Sequence, residues 1–324
     1  MVLYRYRITP QSAFGTPMRS DTLYGHLLWA AAMLKGEGRV QEMIEAFAGN
    51  APPFVLSSAL PAGRLPWPTL PGIARACFKK QFAGDGNLFK QLQCFKAFRK
   101  QGSWSLDTWV KLGGQLSQAA LFSDWLQEVQ EKEKRPREEP LAIQTVAHQP
   151  HVVIDRQSGS VLTGGGLFFS RATWYRPGTD LDLYVRTDDQ AEFEELFAHL
   201  AAVGFGADRS TGKGQFRYQR DKGFDPAPFD APGSHRLCLS VCAASDLTGF
   251  DGYWTPMVKH GRAWSGFGER NPFKKPFFAF AEGSLFRKMP ESGYLLRQIH
   301  SDSRLVQIGW PLTIPVTLEG HHAH

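Results

Sequence analysis

The chain has 324 residues, 42% of them hydrophobic and 13% aromatic, with 37 Lys and Arg against 31 Asp and Glu. Such a length and apolar content exclude a disordered tail or a disulfide-stapled miniprotein, and suit two domains with a sizeable core. The formal charge of +6 is moderate, compatible with a polyanionic partner without requiring one. The longest apolar run, Leu27 to Leu34, falls far short of a membrane span. The opening residues lack the shape of a signal peptide. Cys77, Cys94, Cys238 and Cys242 have no metal-site spacing and are expected as free thiols of a cytoplasmic protein.

Residues 2–8 alternate and are rich in β-formers, so they read as a strand. A Pro/Gly/Ser loop follows, and Ser20 or Asp21 is expected to cap a helix by accepting from free amides of its first turn. Leu23, Leu27, Ala30, Ala31 and Leu34 recur at helical spacing, and Gly36 and Gly38 are expected to end the helix. A proline-rich stretch over 51–72 holds a short strand from Pro53. From about 60 to 140 the pattern is helical and reads as an insertion into a β-rich core. It closes on the mixed-charge run Glu131 to Pro140, expected as a solvated linker.

Beyond the linker, His151 to Val161 reads as a strand and turn with Ser158-Gly159 at the tip. Two further strands, Leu167 to Arg176 and Leu181 to Arg186, are split by Pro177-Gly178. Asp189 is expected to cap a helix, with Glu192 as its capping-box partner and Gly204 as the stop. After a glycine-rich loop, Phe216 to Arg220 reads as a strand. The order β, α, insertion, β strands, α, glycine loop, β is that of an elaborated ferredoxin-like unit over residues 1–222. Residues 223–233 read as a boundary. Residues 234–320 form a second domain of strands, closed by an edge strand containing Pro311 and Pro315. The fold class expected is therefore α+β.

The loop from Gly204 to Phe216 places four glycines within eleven residues, together with Arg209, Ser210, Thr211 and Lys213. Successive amides in such a loop can form an anion-binding concavity, to which the two cations would add charge. It is not a Walker A loop. Five residues separate Gly206 from Gly212, Gly214 follows Lys213, and the loop runs from helix to strand. No dinucleotide fingerprint is present either. A ligand-free helix-to-strand connection accounts for the glycines as well as phosphate binding does.

The segment Gly-Phe-Gly-Ala-Asp-Arg-Ser-Thr-Gly-Lys-Gly-Gln-Phe resembles the glycine-rich loop of the RAMP superfamily of CRISPR proteins, whose ferredoxin-like (RRM-like) domains hold guide RNA. Thr16-Pro-Met-Arg-Ser-Asp-Thr-Leu-Tyr-Gly-His-Leu-Leu-Trp-Ala is similar to the first-helix signature of the fourth subunit of type III-A (Csm) effectors. The ending Gly309-Trp-Pro-Leu-Thr-Ile-Pro-Val is similar to that subunit's C-terminus. The resemblance implies two ferredoxin-like RAMP domains. It also implies a non-catalytic subunit that caps the complex at the crRNA 5′ handle. Its partners would be a large polymerase-like signalling subunit and a backbone RAMP subunit, with target RNA met only indirectly and no membrane or cofactor involved. A β-hairpin thumb is implied as well, nearest to His148–Val161, with Arg156 near its tip.

The RNA-contact residues expected on this basis are Arg19, Ser20, His26, Arg156, Gly206, Arg209, Ser210, Thr211, Gly212, Lys213 and Gly214, phosphate-holding types near a helix start or in the glycine loop. Trp254, Lys259 and Arg262, with Trp264, Phe267, His260 and Arg270 nearby, are candidates for stacking and charge. Two other readings stay open: a RAMP-type crRNA-processing endoribonuclease using a histidine such as His26, His148, His151 or His260, or the equivalent subunit of a type III-B complex.

Overall fold

The computed structural model describes residues 1–82, 88–133, 143–162, 164, 166–263 and 272–319. Alternation makes Val2–Pro10 the first strand, β1, which points Leu3, Tyr6 and Ile8 into the core. Ser20–Lys35 forms α1, burying Leu23, Tyr24, Leu27, Ala30 and Ala31. Its N-cap position is Arg19. Ser20 and Asp21 lie inside the first turn, and no side chain caps the helix. Gly36, at φ +85°, ends α1, but Gly38 belongs to a second helix that the glycine pair hides, α2 (Glu37–Ala48). Met43, Ile44 and Phe47 anchor it.

β2 (Phe54–Leu56) and β3 (Leu60–Pro61) follow. The helical insertion is present. β4 (Arg64–Pro66) pairs with β5 (Ser103–Ser105), and α3 (Arg75–Phe82), α4 (Leu88–Phe98), α5 (Leu106–Leu112) and α6 (Gln118–Glu133) surround them. Phe78, Phe95, Phe98 and Phe122 form its aromatic centre, with ring centroids 5.0–5.9 Å apart. The expected charged linker begins inside α6, and its remainder lies outside the described residues.

β6 (Gln144–Val152) and β7 (Leu167–Tyr175) form a long antiparallel hairpin, paired from Gln144↔Tyr175 to Val152↔Leu167. β8 (Leu181–Thr187) then returns to the first sheet, and α7 (Gln190–Val203) leads through the glycine loop to β9 (Phe216–Arg220). Asp189 caps α7, its Oδ1 accepting from the Glu192 N–H at 2.9 Å. Glu192 does not close the capping box. Its two carboxylate oxygens instead accept from Arg39 on α2 at 2.8 and 2.7 Å.

The first sheet has the order β2-β8-β1-β9, all antiparallel, with β3 also on β8. Taking β1, β2, β8 and β9 as the four strands of a βαββαβ unit gives the ferredoxin-like arrangement. The helices α1 and α7 complete that unit, Phe193 and Phe197 of α7 stacking near Tyr6. The expected boundary at 223–233 is packed against the chain. Phe224 and Phe229 lie 5.8 and 5.1 Å from the Tyr184 ring, covering part of the first sheet.

The remaining strands are short: β10 (His235–Cys238), β11 (Asp251–Tyr253), β12 (Pro256–Lys259), β13 (Phe277–Phe280), β14 (Leu285–Lys288), β15 (Leu295–Leu296), β16 (Gln307–Ile308) and β17 (Thr313–Val316). They build a four-stranded antiparallel sheet, β11-β14-β10-β17, and two small ribbons, β12-β13 and β15-β16. The described residues of 235–319 contain no helix. β17 lies at an edge, as Pro315 requires.

One apolar cluster runs through both sheets, from Leu3 to Leu318. Buried polar groups stitch the halves together. The Ser20 hydroxyl accepts from Val241 N–H (2.8 Å), Ser240 Oγ donates to Leu56 O (2.8 Å), and Tyr24 OH donates to Trp310 O (3.1 Å). Trp310 Nε1 donates to Phe47 O (3.1 Å), which gives the Trp-Pro motif near the C-terminus a structural task. The four cysteines are free, and burial pushes the Cys238 thiol up to about 12.

Candidate nucleic-acid interface

The glycine loop is built around Phe205, which is fully buried between Phe14 and the His26 ring. Phe205 N–H donates to Gly214 O (2.9 Å), and Gly214 N–H donates to Ala13 O (2.8 Å). Gly206 N–H donates to His26 Nε2 (3.2 Å) and Ala207 N–H to Thr16 Oγ1 (3.1 Å). Thr211, Gly212 and Lys213 donate their amides back to Asp208 and Arg209 carbonyls. The loop's backbone is thus turned inward. The expected concavity of amides does not form over 204–207 and 211–215, because those donors hold the loop to α1 and to residues 12–16.

The glycines answer to steric need. A Cβ on Gly214 would sit 1.9 Å from Phe205 O, and one on Gly206 would sit 2.8 Å from Thr16 Cβ. What the loop presents to solvent is its crest, a short 3-10 turn over Arg209–Thr211 in which Ser210, Thr211 and Gly212 are exposed and Arg209 is half-buried. Lys213 is engaged: its Nζ bonds Asp208 Oδ2 (2.8 Å) and Ser170 Oγ (3.2 Å).

His26 serves the loop. Burial, with the Arg209 guanidinium nearby, lowers its pKa to about 4, so near neutral pH the imidazole is uncharged and accepts the Gly206 amide through Nε2. Held this way, Nε2 carries no proton to donate, and its lone pair is already occupied.

Several other expected contacts are placed elsewhere. Ser20 is 0% exposed, its hydroxyl committed to Val241, so it cannot reach RNA in this fold. Lys259 Nζ is paired with Asp21 Oδ2 at 2.8 Å inside the junction between the two sheets. The Trp254 ring rests on Phe280 and Phe286 and keeps 37% exposure. Arg262 is exposed and lies over the Phe273 ring at 5.0 Å. Arg19 sits beside Glu282, Nε to Oε1 3.6 Å. His260 is exposed. Trp264, Phe267 and Arg270 lie outside the described residues.

The hairpin stands next to the loop. Ser170 on β7, which receives Lys213, also bonds His151 Nε2 on β6 at 2.7 Å, and His151 stacks on Phe168 at 5.2 Å. Only its base is fixed to the core, through the Phe14↔Thr173 bridge and the buried Ala172 and Thr173. The hairpin exposes Val152, Ile154, Leu167, Phe168, Phe169 (62%) and Trp174 (48%). Its tip is the turn around Ser158-Gly159, with Arg156 exposed beside it. The expected thumb segment therefore supplies half of β6 and the tip, while the return strand is β7. A two-stranded ribbon with so much exposed apolar surface is marginal in water and is completed by something that covers it. Ser12, Thr16, Phe168, Phe169 and Ser170 were not marked by any sequence pattern, because strand alternation does not say which face stays open.

No group of His, Cys, Asp or Glu suited to a metal occurs among the described residues. No helix among them is long and apolar enough to cross a membrane.

The sequence profile of the RAMP superfamily matches residues 12–217. No curated protein matches the chain. Among solved structures, a chain of a Csm1–Csm4 cassette in complex with pppApA is similar at 18% identity and a TM-score of 0.57, over 98% of this chain and 100% of that one. The same cassette with cA4 matches at 16% identity, with a TM-score of 0.57, over 98% and 99%. A chain of the Csm3–Csm4 subcomplex of a type III-A CRISPR-Cas interference complex matches at 13% identity, with a TM-score of 0.53, over 96% and 99%. These likenesses are of fold.

Proposed function

Because the chain belongs to the RAMP superfamily, we propose that it is the subunit of a type III-A CRISPR effector that grips the 5′ handle of the crRNA and does not itself cut RNA. The observation that carries this reading is the joined surface of glycine-loop crest and hairpin, locked by Lys213, Ser170 and His151. The exposed hydroxyl and backbone groups of Ser210, Thr211 and Gly212, with Arg209 beside them, are of the kinds that hold phosphate and sugar oxygens. Next to them Phe168, Phe169 and Trp174 offer ring faces on which splayed bases stack, as single-stranded RNA recognition requires. Arg156 adds a cation at the far end of the hairpin. Likeness over nearly the whole chain to chains of Csm1–Csm4 and Csm3–Csm4 assemblies supports partners of two kinds, a large signalling subunit and a backbone RAMP subunit.

The role is scaffolding. His26 is spent on the Gly206 amide, and the reading assigns no general acid to the surface. The test is to incubate the purified chain with labelled repeat RNA and follow both binding and cleavage. Binding without cleavage is expected. Site-specific cleavage abolished by His26→Ala would overturn the scaffold role in favour of a processing endoribonuclease.

A further inference from the structure

Residues 73–101 carry seven Lys and Arg (Arg75, Lys79, Lys80, Lys90, Lys96, Arg99, Lys100) against a single Asp, an excess equal to the formal charge of the whole chain. Asp85 lies outside the described residues. All seven cations are exposed on α3, α4 or the turn that follows, and none forms an ion pair or a side-chain hydrogen bond with another described residue. Cations elsewhere are largely spent: Lys259 on Asp21, Arg287 on Asp251, Arg297 on Glu45 and Arg304 on Asp302.

The packing of the insertion explains the geometry. Phe78, Phe95 and Phe98 turn inward to Phe122, so the remaining positions of both helices face water. On α4, Phe89, Leu92, Lys96 and the following Lys100 recur three or four residues apart and share one outer face. Phe89 is 73% exposed and Leu92 41%. An aromatic ring that is open to solvent and set among such cations lacks the carboxylates that a protein partner's mixed charge would pair with. It has what a single strand of nucleic acid needs, positive charge along the backbone and a ring for a base.

We propose that the outer face of α3 and α4 is a second RNA-binding surface, taking the phosphate backbone of single-stranded RNA without sequence preference, with one base stacked on Phe89. It rests on the reading of the chain as an RNA-binding subunit and adds a surface separate from the glycine loop and hairpin.

The test measures the affinity of the full chain for labelled oligouridine by fluorescence anisotropy across a salt series, alongside repeat RNA containing the handle. Replacing Lys79, Lys80, Lys96 and Lys100 by Ala leaves up to four phosphates without a protein cation. The slope of log affinity against log salt falls by roughly 0.7 for each such phosphate, about 3 in all. Phe89→Ala lowers affinity about tenfold and leaves the slope unchanged. Because the four lysines are exposed and pair with no described residue, thermal stability stays the same, and a Lys→Gln version of the quadruple variant repeats the result with side-chain length kept. An unchanged slope and affinity overturn the inference. So does an unchanged slope in a variant that no longer assembles with a protein subunit, which would make the face an acidic-protein contact. In either case, weakened handle binding by hairpin variants leaves the proposed function standing. Failure of the unaltered chain to bind handle RNA overturns that function as well.

Discussion

The glycine loop and the hairpin touch through one lysine, yet they are finished to different degrees. In the loop, Phe205 is buried and the amides of 204–207 and 211–215 already have partners within the chain. In the hairpin, β6 and β7 satisfy only each other along most of their length, and large apolar side chains face solvent. Glycine density marks a place where backbones must pass closely. Unfinished packing marks a place where something else is meant to bind. The loop therefore acts mainly as the hairpin's and α1's scaffold, and its RNA contacts are confined to the crest.

The largest effect is expected where that scaffold is densest. Gly214→Ala puts a Cβ into the Phe205 carbonyl at a backbone φ of +71°, and should cost roughly 3 kcal/mol or more by thermal or denaturant unfolding. Gly212→Ala is the sharpening control. Its φ is +89° but nothing lies within 4 Å, so only the left-handed backbone cost of about 1 kcal/mol remains. Equal losses for the two would break the account of the loop as a close-packed scaffold.

Acid provides the next probe. The folded pKa of His26, near 4, lies below its ordinary value of 6.5, so the unfolded chain takes up the proton first as pH falls. The His26 contribution, up to about 3 kcal/mol, is present above pH 6.5 and is lost between there and pH 4. A His26→Gln variant, which keeps an acceptor without a titrating ring, should show a flatter stability profile across that window. An identical profile would mean that the ring does not hold the loop.

Smaller effects separate charge from packing. Arg209→Ala should weaken RNA binding across sequences and reduce the salt slope by roughly 0.7, the signature of one phosphate contact on a single strand. Lys213→Ala should scarcely change that slope, because its ammonium is already held by Asp208 and Ser170. Its cost is expected in stability, at about 1 kcal/mol or less. A larger slope change for Lys213 than for Arg209 would reverse the assignment.

Much of the first sheet was legible in the sequence. Alternation gave β1, the Asp189 cap gave α7, and the Pro177-Gly178 pair separated β7 from β8, because each signal is local. Where partners are distant in the chain, local chemistry misleads. Ser20 looks like a cap but faces Val241, and Glu192 looks like a capping-box residue but serves Arg39. The α2 helix was hidden by Gly36 and Gly38, of which only the first ends a helix. In the site, the residue types of the crest were visible, whereas the hairpin's open face was not. Period-two alternation is identical whether a strand's face is covered or bare. The cations of α3 and α4 are plain in the sequence, but their meaning depends on how they are partnered, which only the fold discloses.

The most direct test of the account is the affinity of handle-containing crRNA for the chain with Phe168 and Phe169 both changed to Ala. Both side chains are exposed, so the fold should be unaffected and the melting temperature unchanged. Without the two stacking rings, binding should weaken by about a hundredfold at constant salt. Wild-type affinity in that variant would contradict the claim that the hairpin's open face is where RNA is held.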